Sequence, residues 1–106
     1  MALVPDINIQ FRLNGEVKTL RFKDLPFSAW SDLKNKLQFT PWTVIEAVQK
    51  FDLEAIGALI WLERRQHERM LQWATVQREL ERGDTEFEFV DAYEGKKETD
   101  PPSADS

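Results

Sequence analysis

The chain has 106 residues, no cysteine, 42% hydrophobic residues and a net charge of −5. This length fits one domain with a sizeable core, and the lack of cysteine excludes disulfide frameworks and thiolate metal sites. The charge is uneven, because residues 84–106 carry eight acidic and two basic side chains, whereas residues 1–83 carry eleven and twelve. An acidic tail is typical of solvated interaction segments, and it repels phosphates, which argues against nucleic acid as a partner.

Alternating apolar residues near the start of the chain predict a β-hairpin. Apolar side chains recur at every second position over residues 7–13, which is the pattern of a half-buried strand. Asn14-Gly15 predicts a two-residue type I′ turn, since both residues tolerate a positive φ. Such a turn pairs Ile9 with Leu20 and places both on one face. A single hairpin is marginally stable, so it is expected to pack on helices.

Two short helices are predicted next, over about residues 28–38 and 41–51, after a connector that ends at Phe27. The apolar stripe of the first helix consists of Trp30, Leu33 and Leu37. The second helix has two candidate N-caps. Thr40 precedes Pro41, which is favoured at the first helical position, and Thr43 begins a capping-box pattern.

The longest apolar stretch, residues 52–62, predicts a buried helix around which the rest of the chain is organised. Its hydrophobic side chains cover nearly the whole helix circumference, as in a central rather than a peripheral helix. Asp52 is the expected N-cap. The stretch is too short to cross a bilayer, which takes about 20 residues. We expect this helix over about residues 52–68.

A last helix is predicted over about residues 70–82, and its apolar stripe begins at Met70. Because this stripe is out of phase with the preceding one, we expect a bend or a short break in the charged segment between the two helices. Gly83 is expected to end the last helix, since glycine favours the left-handed conformation found there.

Residues 86–90 alternate again and allow two interpretations, a third strand beside the hairpin or a short linear motif with two aromatic anchors. The sequence as a whole predicts an α+β, mainly α, fold with a hairpin (about 6–22) packed on three to four helices. The predicted single domain covers residues 1–91. Residues 92–106 are expected to form a disordered acidic tail, because they bury too little apolar surface.

No feature of the sequence predicts catalysis, a cofactor or a metal. His67 is the single histidine and lies among charged residues, where it is expected to be solvent-exposed or locally paired. The four glycines are isolated and form no phosphate-binding loop. An enzyme is therefore the least favoured class of protein.

Partner-binding candidates come from three groups of residues: arginines, tryptophans and the two aromatic residues of the segment 86–90. Arginines of the charged segment form either a solvated helix face with interleaved glutamates or a docking surface for an acidic partner or the chain's own tail. Of the four tryptophans, one of Trp42 and Trp73 is expected to be partly exposed in a groove, since tryptophan often anchors interfaces. The candidate residues are Trp42, Trp73, Arg64, Arg65, Arg69, Phe87 and Phe89.

The order of the predicted segments over the second half of the chain can be compared with that of known families. A helix opens at residues 41–46, an apolar helix follows at 52–65, and a further helix and an acidic, aromatic-containing tail close the chain. Over roughly residues 40–100 this pattern resembles the small tail assembly chaperones of long-tailed, siphovirus-type bacteriophages. Gly95-Lys96-Lys97 fits the slippery run from which such genes produce a longer, frameshifted product.

The resemblance implies a non-enzymatic protein of the infected bacterial cytoplasm that binds the tape measure protein and the tail tube protein. It implies absence from the mature virion, and no catalytic residues carry over. Two alternatives remain at this point: a structural head–tail or tail component of the virion, and a nucleic-acid-binding regulator. No membrane association is expected, and a homo-oligomer is compatible with the sequence.

Overall fold

The computed structural model describes residues 3–94, and its core lies between a three-stranded sheet and four helices. The predicted α+β, mainly helical class is confirmed. The strands are β1 (Ile7–Leu13), β2 (Glu16–Arg21) and β3 (Phe87–Glu94). The helices are α1 (Phe27–Leu37), α2 (Pro41–Gln49), α3 (Leu53–Arg65) and α4 (Trp73–Glu81), with a short 3-10 helix at Phe22–Asp24.

The hairpin forms with the predicted two-residue turn. Asn14 and Gly15 have φ values of 50° and 88°, which only residues tolerant of the left-handed region adopt readily. The turn sets the register, and Ile9 pairs with Leu20, both fully buried. Pairing with β2 ends at Arg21 because the chain then enters the 3-10 helix.

β3 settles the open interpretation of residues 86–90, because it forms an antiparallel strand on the free side of β1. Phe89 pairs with Phe11, and Ala92 pairs with Ile9. Val90 has no partner in β1, so the register shifts by one residue at this β-bulge. The strand continues to Glu94, so the predicted domain end at residue 91 is three residues too early. The rest of the predicted tail, residues 95–106, lies outside the described residues.

Side-chain caps begin the two central helices where the sequence predicts. The Oγ1 of Thr40 accepts a hydrogen bond from the Thr43 backbone N–H at 3.1 Å, and the Oγ1 of Thr43 accepts one from the Thr40 N–H at 2.8 Å. Thr40 is thus the N-cap of α2, and Thr43 closes the capping box. Asp52 caps α3 through its Oδ1, which accepts from the backbone N–H groups of Glu54 and Ala55 at 2.9 and 3.3 Å.

α3 is the centre of the fold, as predicted. Every residue from Ala55 to Glu63 is buried, and the helix contacts α1, α2, α4 and β2. α4 packs closely against Gly57, since a Cβ there would lie 2.9 Å from Cη2 of Trp73. Among the described residues, no helix is both long enough and apolar enough to cross a bilayer.

The predicted break between the last two helices is present and wider than expected. α3 ends at Arg65 rather than 68, and α4 begins at Trp73 rather than 70. The connector is tied down by the Trp61 indole N–H, which donates to the Leu71 carbonyl at 3.1 Å. Met70 is 88% exposed and does not begin the α4 stripe, contrary to the prediction. Gly83 follows α4 with φ of 80°, as expected for a helix end.

Candidate partner-binding surfaces

The seven candidate residues separate into three environments. Phe87 and Phe89 lie in β3 and are half-buried against the core, with the Phe87 ring stacked on Phe11 at a centroid distance of 5.4 Å. They stabilise the sheet, and this placement leaves little of either ring for a partner. Trp42 and Trp73 lie on two different surfaces. Arg64 and Arg65 are the last residues of α3, and Arg69 lies in the connector that follows.

Arg64 is engaged within the chain. Its Nε and Nη2 atoms donate to the Glu68 carboxylate at 3.0 and 3.2 Å, and its Nη1 donates to Glu79 at 2.6 Å. Hydrogen bonds to Glu68, and then to Glu79, raise the pKa of Arg64 above its usual range despite partial desolvation. The same guanidinium lowers the pKa of Glu68. Arg64 therefore fastens α4 and the connector to α3 rather than standing free for a ligand.

Arg65, Arg69 and Trp73 do come together, in a cleft that we call the basic cleft. Its volume is about 410 Å³, and it lies between α1, the end of α3 and the start of α4. Arg65 pairs with Asp32 of α1 at 3.1 Å and lies over the Trp61 ring at 5.2 Å. The side chains that line the cleft include Lys36, Trp61, Arg65, Arg69, Met70 and Trp73.

Trp42 borders a different and far more apolar surface, which we call the aromatic groove. It is a hollow of about 450 Å³ between the segment before β1, one side of α1 and the start of α2. Trp42 is 42% exposed and Phe27 is 78% exposed. The groove is lined by Leu3, Val4, Phe27, Trp30, Ser31, Lys34, Asn35, Phe39, Thr40, Pro41 and Trp42.

The sequence analysis assigned Phe27 to a connector and did not include it among the candidate residues. Phe27 is in fact the first residue of α1, and this position turns its ring outward. The available signal was Pro26, which precedes the helix as its N-cap residue. The expectation that one of Trp42 and Trp73 is partly exposed in a groove is met by Trp42.

His67 lies beside a third, polar hollow of about 520 Å³ at the carboxyl end of α3. It is largely exposed, and its Nε2 lies 3.5 Å from the carboxylate of Glu63 one turn earlier, in agreement with the predicted local pairing. Within residues 3–94, no group of three or more potential ligands is placed to hold a metal ion. The hollow also contains Arg64, Glu68 and Glu79, whose charges are paired with one another.

Comparison with known proteins adds no relative, since no family model, curated protein or solved structure matches this chain.

Proposed function

We propose that this protein is a phage tail assembly chaperone, a non-enzymatic protein that binds the tape measure protein through the aromatic groove and thereby assists assembly of the tail tube. The sequence pattern of residues 40–100 suggests the class of protein. The observation that carries the proposal is the exposure of Phe27 and Trp42, which both line one apolar hollow.

The groove has the chemistry needed to hold an amphipathic helix. Helix-binding grooves take apolar side chains spaced at i, i+3 or i+4 and i+7, and these anchors need an apolar wall rather than precisely placed polar groups. Here the walls are mainly aromatic and aliphatic, with Ser31, Asn35 and Thr40 as uncharged polar residues, and Lys34 is the single charged residue among the lining side chains. Large exposed aromatic side chains around one hollow are typical of interaction sites.

The partner of this surface is a segment of the tape measure protein whose helices are amphipathic and aggregate when left uncovered. Binding buries their apolar faces against Phe27 and Trp42. The charged surface of the chaperone then faces water and keeps the complex in solution. The arginines of α3 contribute less than their number suggests, because Arg64 and Arg65 already pair with carboxylates.

Co-expression with a candidate tape measure protein tests the proposal, with the soluble fraction of that partner as the readout. The native chain is expected to keep the partner soluble, whereas Phe27→Ser is expected to lose this effect. Leu53→Ser is the matched control, because Leu53 is also the first residue of its helix, is 81% exposed and lies outside the groove. Both substitutions should change stability by less than about 0.5 kcal/mol, as is usual at exposed positions.

If the partner aggregates equally with and without the native chain, the chaperone function is rejected. If Leu53→Ser fails as Phe27→Ser does, the groove is the wrong surface. Mass spectrometry of purified particles separates the proposal from the virion alternative, since an assembly chaperone is absent from finished particles and a structural component is present in fixed ratio.

A further inference from the structure

We propose that the chain carries its own occupant for the aromatic groove, the acidic and proline-containing segment Glu98–Ala104, which docks there and must be displaced before a partner binds. The docking is independent of what the partner is, and only the competition rests on the proposed function.

The first argument is where the described chain ends. Glu94, at the end of β3, lines a small hollow together with Asp6, Ile7 and Trp42. Trp42 is also a wall of the aromatic groove, so the chain leaves the sheet at the edge of that groove. Six residues separate Glu94 from Pro101, and an extended chain of this length spans roughly 20 Å. The segment can therefore enter the groove without any movement of the domain.

The second argument is the chemistry of the groove. Segments that contain consecutive prolines favour the polyproline conformation, and such segments bind in aromatic-lined grooves. Phe27, Trp30 and Trp42 supply such a lining for Pro101 and Pro102.

The third argument is charge. Lys34 lies in the groove wall and is exposed, and it pairs with no carboxylate within the described part of the chain. Glu98 and Asp100 immediately precede the two prolines, so a proline pair seated among the aromatic rings brings two carboxylates towards this ammonium group.

The basic cleft is the competing site, and its position disfavours it. It lies at the carboxyl end of α3, around Trp61 and Arg65. The turn end of β1, at Leu13, lies near this end of α3, because it shares the polar hollow with Arg64. Glu94 pairs with Ile7 at the other end of β1, about 20 Å away for a seven-residue strand.

A weak intrinsic affinity is sufficient for the segment Glu98–Ala104 to occupy the aromatic groove. A short tether gives an effective concentration in the millimolar range, so a segment with millimolar intrinsic affinity already occupies the groove for much of the time. Displacement of such a segment costs a partner only a few-fold in apparent affinity, which leaves binding possible but selective for partners with strong apolar anchors.

Paramagnetic labelling of the full-length chain tests the docking. The chain has no cysteine, so Ser103→Cys introduces one unique attachment point for a nitroxide. We expect the nitroxide to broaden the NMR signals of Phe27, Lys34 and the Trp30 and Trp42 indole N–H groups. Signals of Arg69 and Trp73 in the basic cleft should remain sharp. Reduction of the nitroxide provides the diamagnetic reference, and the same label in a Pro101→Gly, Pro102→Gly background should lose the groove broadening.

Substitutions that reverse the charges of Lys34 and Glu98 provide a second test of docking, again measured by the broadening of the groove signals. Lys34→Glu should weaken docking by roughly two- to fivefold, the size expected for one exposed ion pair, and Glu98→Lys should restore it in the double variant. Lys36→Glu is the matched control, since Lys36 is two residues away on α1 and lines the basic cleft instead.

Three outcomes overturn the proposal. The broadening is absent from the groove, it appears in the basic cleft, or it appears with equal strength when a nitroxide-bearing chain without ¹⁵N is mixed with a ¹⁵N chain without nitroxide and so arises between two copies. None of these outcomes depends on a tape measure protein. If docking is confirmed and the partner assay fails, the chaperone function alone is rejected.

Discussion

Gly57 of α3 and Trp73 of α4 lie so close that a Cβ on residue 57 would be 2.9 Å from Cη2 of the Trp73 ring. Leu80 of α4 also approaches, with its Cδ1 at 3.0 Å. The Trp73 ring is in turn packed on Trp61 at a centroid distance of 5.6 Å. The missing side chain at residue 57 is therefore what allows α4 to lie directly on the central helix.

We predict that Gly57→Ala destabilises the protein, although alanine is the better helix former by about 1 kcal/mol. The new methyl group must displace a rigid indole ring, and overpacking of this kind costs about 1–3 kcal/mol. Urea unfolding followed by circular dichroism measures the change. Trp73→Phe removes the atom that clashes, so Gly57→Ala should cost less in that background. A plain gain in stability from Gly57→Ala would show that the two helices are not in this contact.

Asp52→Ala should lower the free energy of unfolding by about 1 kcal/mol, because the first turn of α3 loses its side-chain cap. In a domain of this size that loss corresponds to a fall in Tm of about 4–8 °C. Calorimetry of the full chain is the measurement. Asp52→Asn retains an oxygen acceptor and should remain close to the native chain, so an equally large loss in Asp52→Asn would point to charge rather than to capping.

The Arg64–Glu68 pair should make stability depend on pH in the acid range. The pKa of Glu68 is held below its ordinary value near 4.5, chiefly by the hydrogen bond from Arg64. A carboxylate with a lowered folded-state pKa contributes stability above its unfolded-state pKa and loses it as pH falls through the folded-state value. The stability difference between the native chain and Glu68→Gln should thus be present at neutral pH and vanish below the lowered pKa of Glu68.

Urea midpoints measured across that range check the prediction. The same comparison in an Arg64→Gln background is the control, because it removes the guanidinium that donates to the Glu68 carboxylate, and the pH-dependent difference should then be largely lost. A Glu68→Gln difference that stays constant with pH would contradict the role of the ion pair.

Gly15→Ala should destabilise the hairpin by about 1–2 kcal/mol, because residue 15 has φ of 88° and the left-handed region is unfavourable for a side chain with a Cβ. Apart from residue 15 and its two neighbours in the chain, no atom of the described residues lies within 4 Å of the position that the Cβ would occupy, so the cost comes from the backbone conformation rather than from a packing clash. Gly15→Asn should cost less, since asparagine tolerates this region better. Equal stabilities of the three proteins in thermal unfolding would show that the turn is not type I′.

Local features of this chain were predictable from its sequence because each has a local physical cause. The Asn14-Gly15 turn follows from backbone sterics, and the caps at Thr40 and Asp52 follow from side-chain oxygens next to unsatisfied N–H groups. The burial of α3 follows from the continuity of its apolar residues. For the same reason the position of Trp42 near a helix start could be inferred, whereas the choice between Trp42 and Trp73 as the partly exposed tryptophan stayed open.

Contacts between distant segments were beyond this kind of inference. β3 pairs with β1 across about 75 residues of chain, and its partner strand and bulge depend on which edge of the hairpin the folded helices leave open. From the sequence alone, the segment that contains Phe87 and Phe89 fits a strand and a linear motif equally well. The choice depends on whether the folded helices leave the β1 edge of the hairpin free to pair.

The aromatic groove and the basic cleft exist only because α1 and its neighbours pack around α3 at particular angles. No local pattern encodes those angles, since they depend on close contacts such as that of Gly57 with Trp73. The sequence by itself thus determined the elements and the central helix. Tertiary packing decided which aromatic side chains remained at the surface.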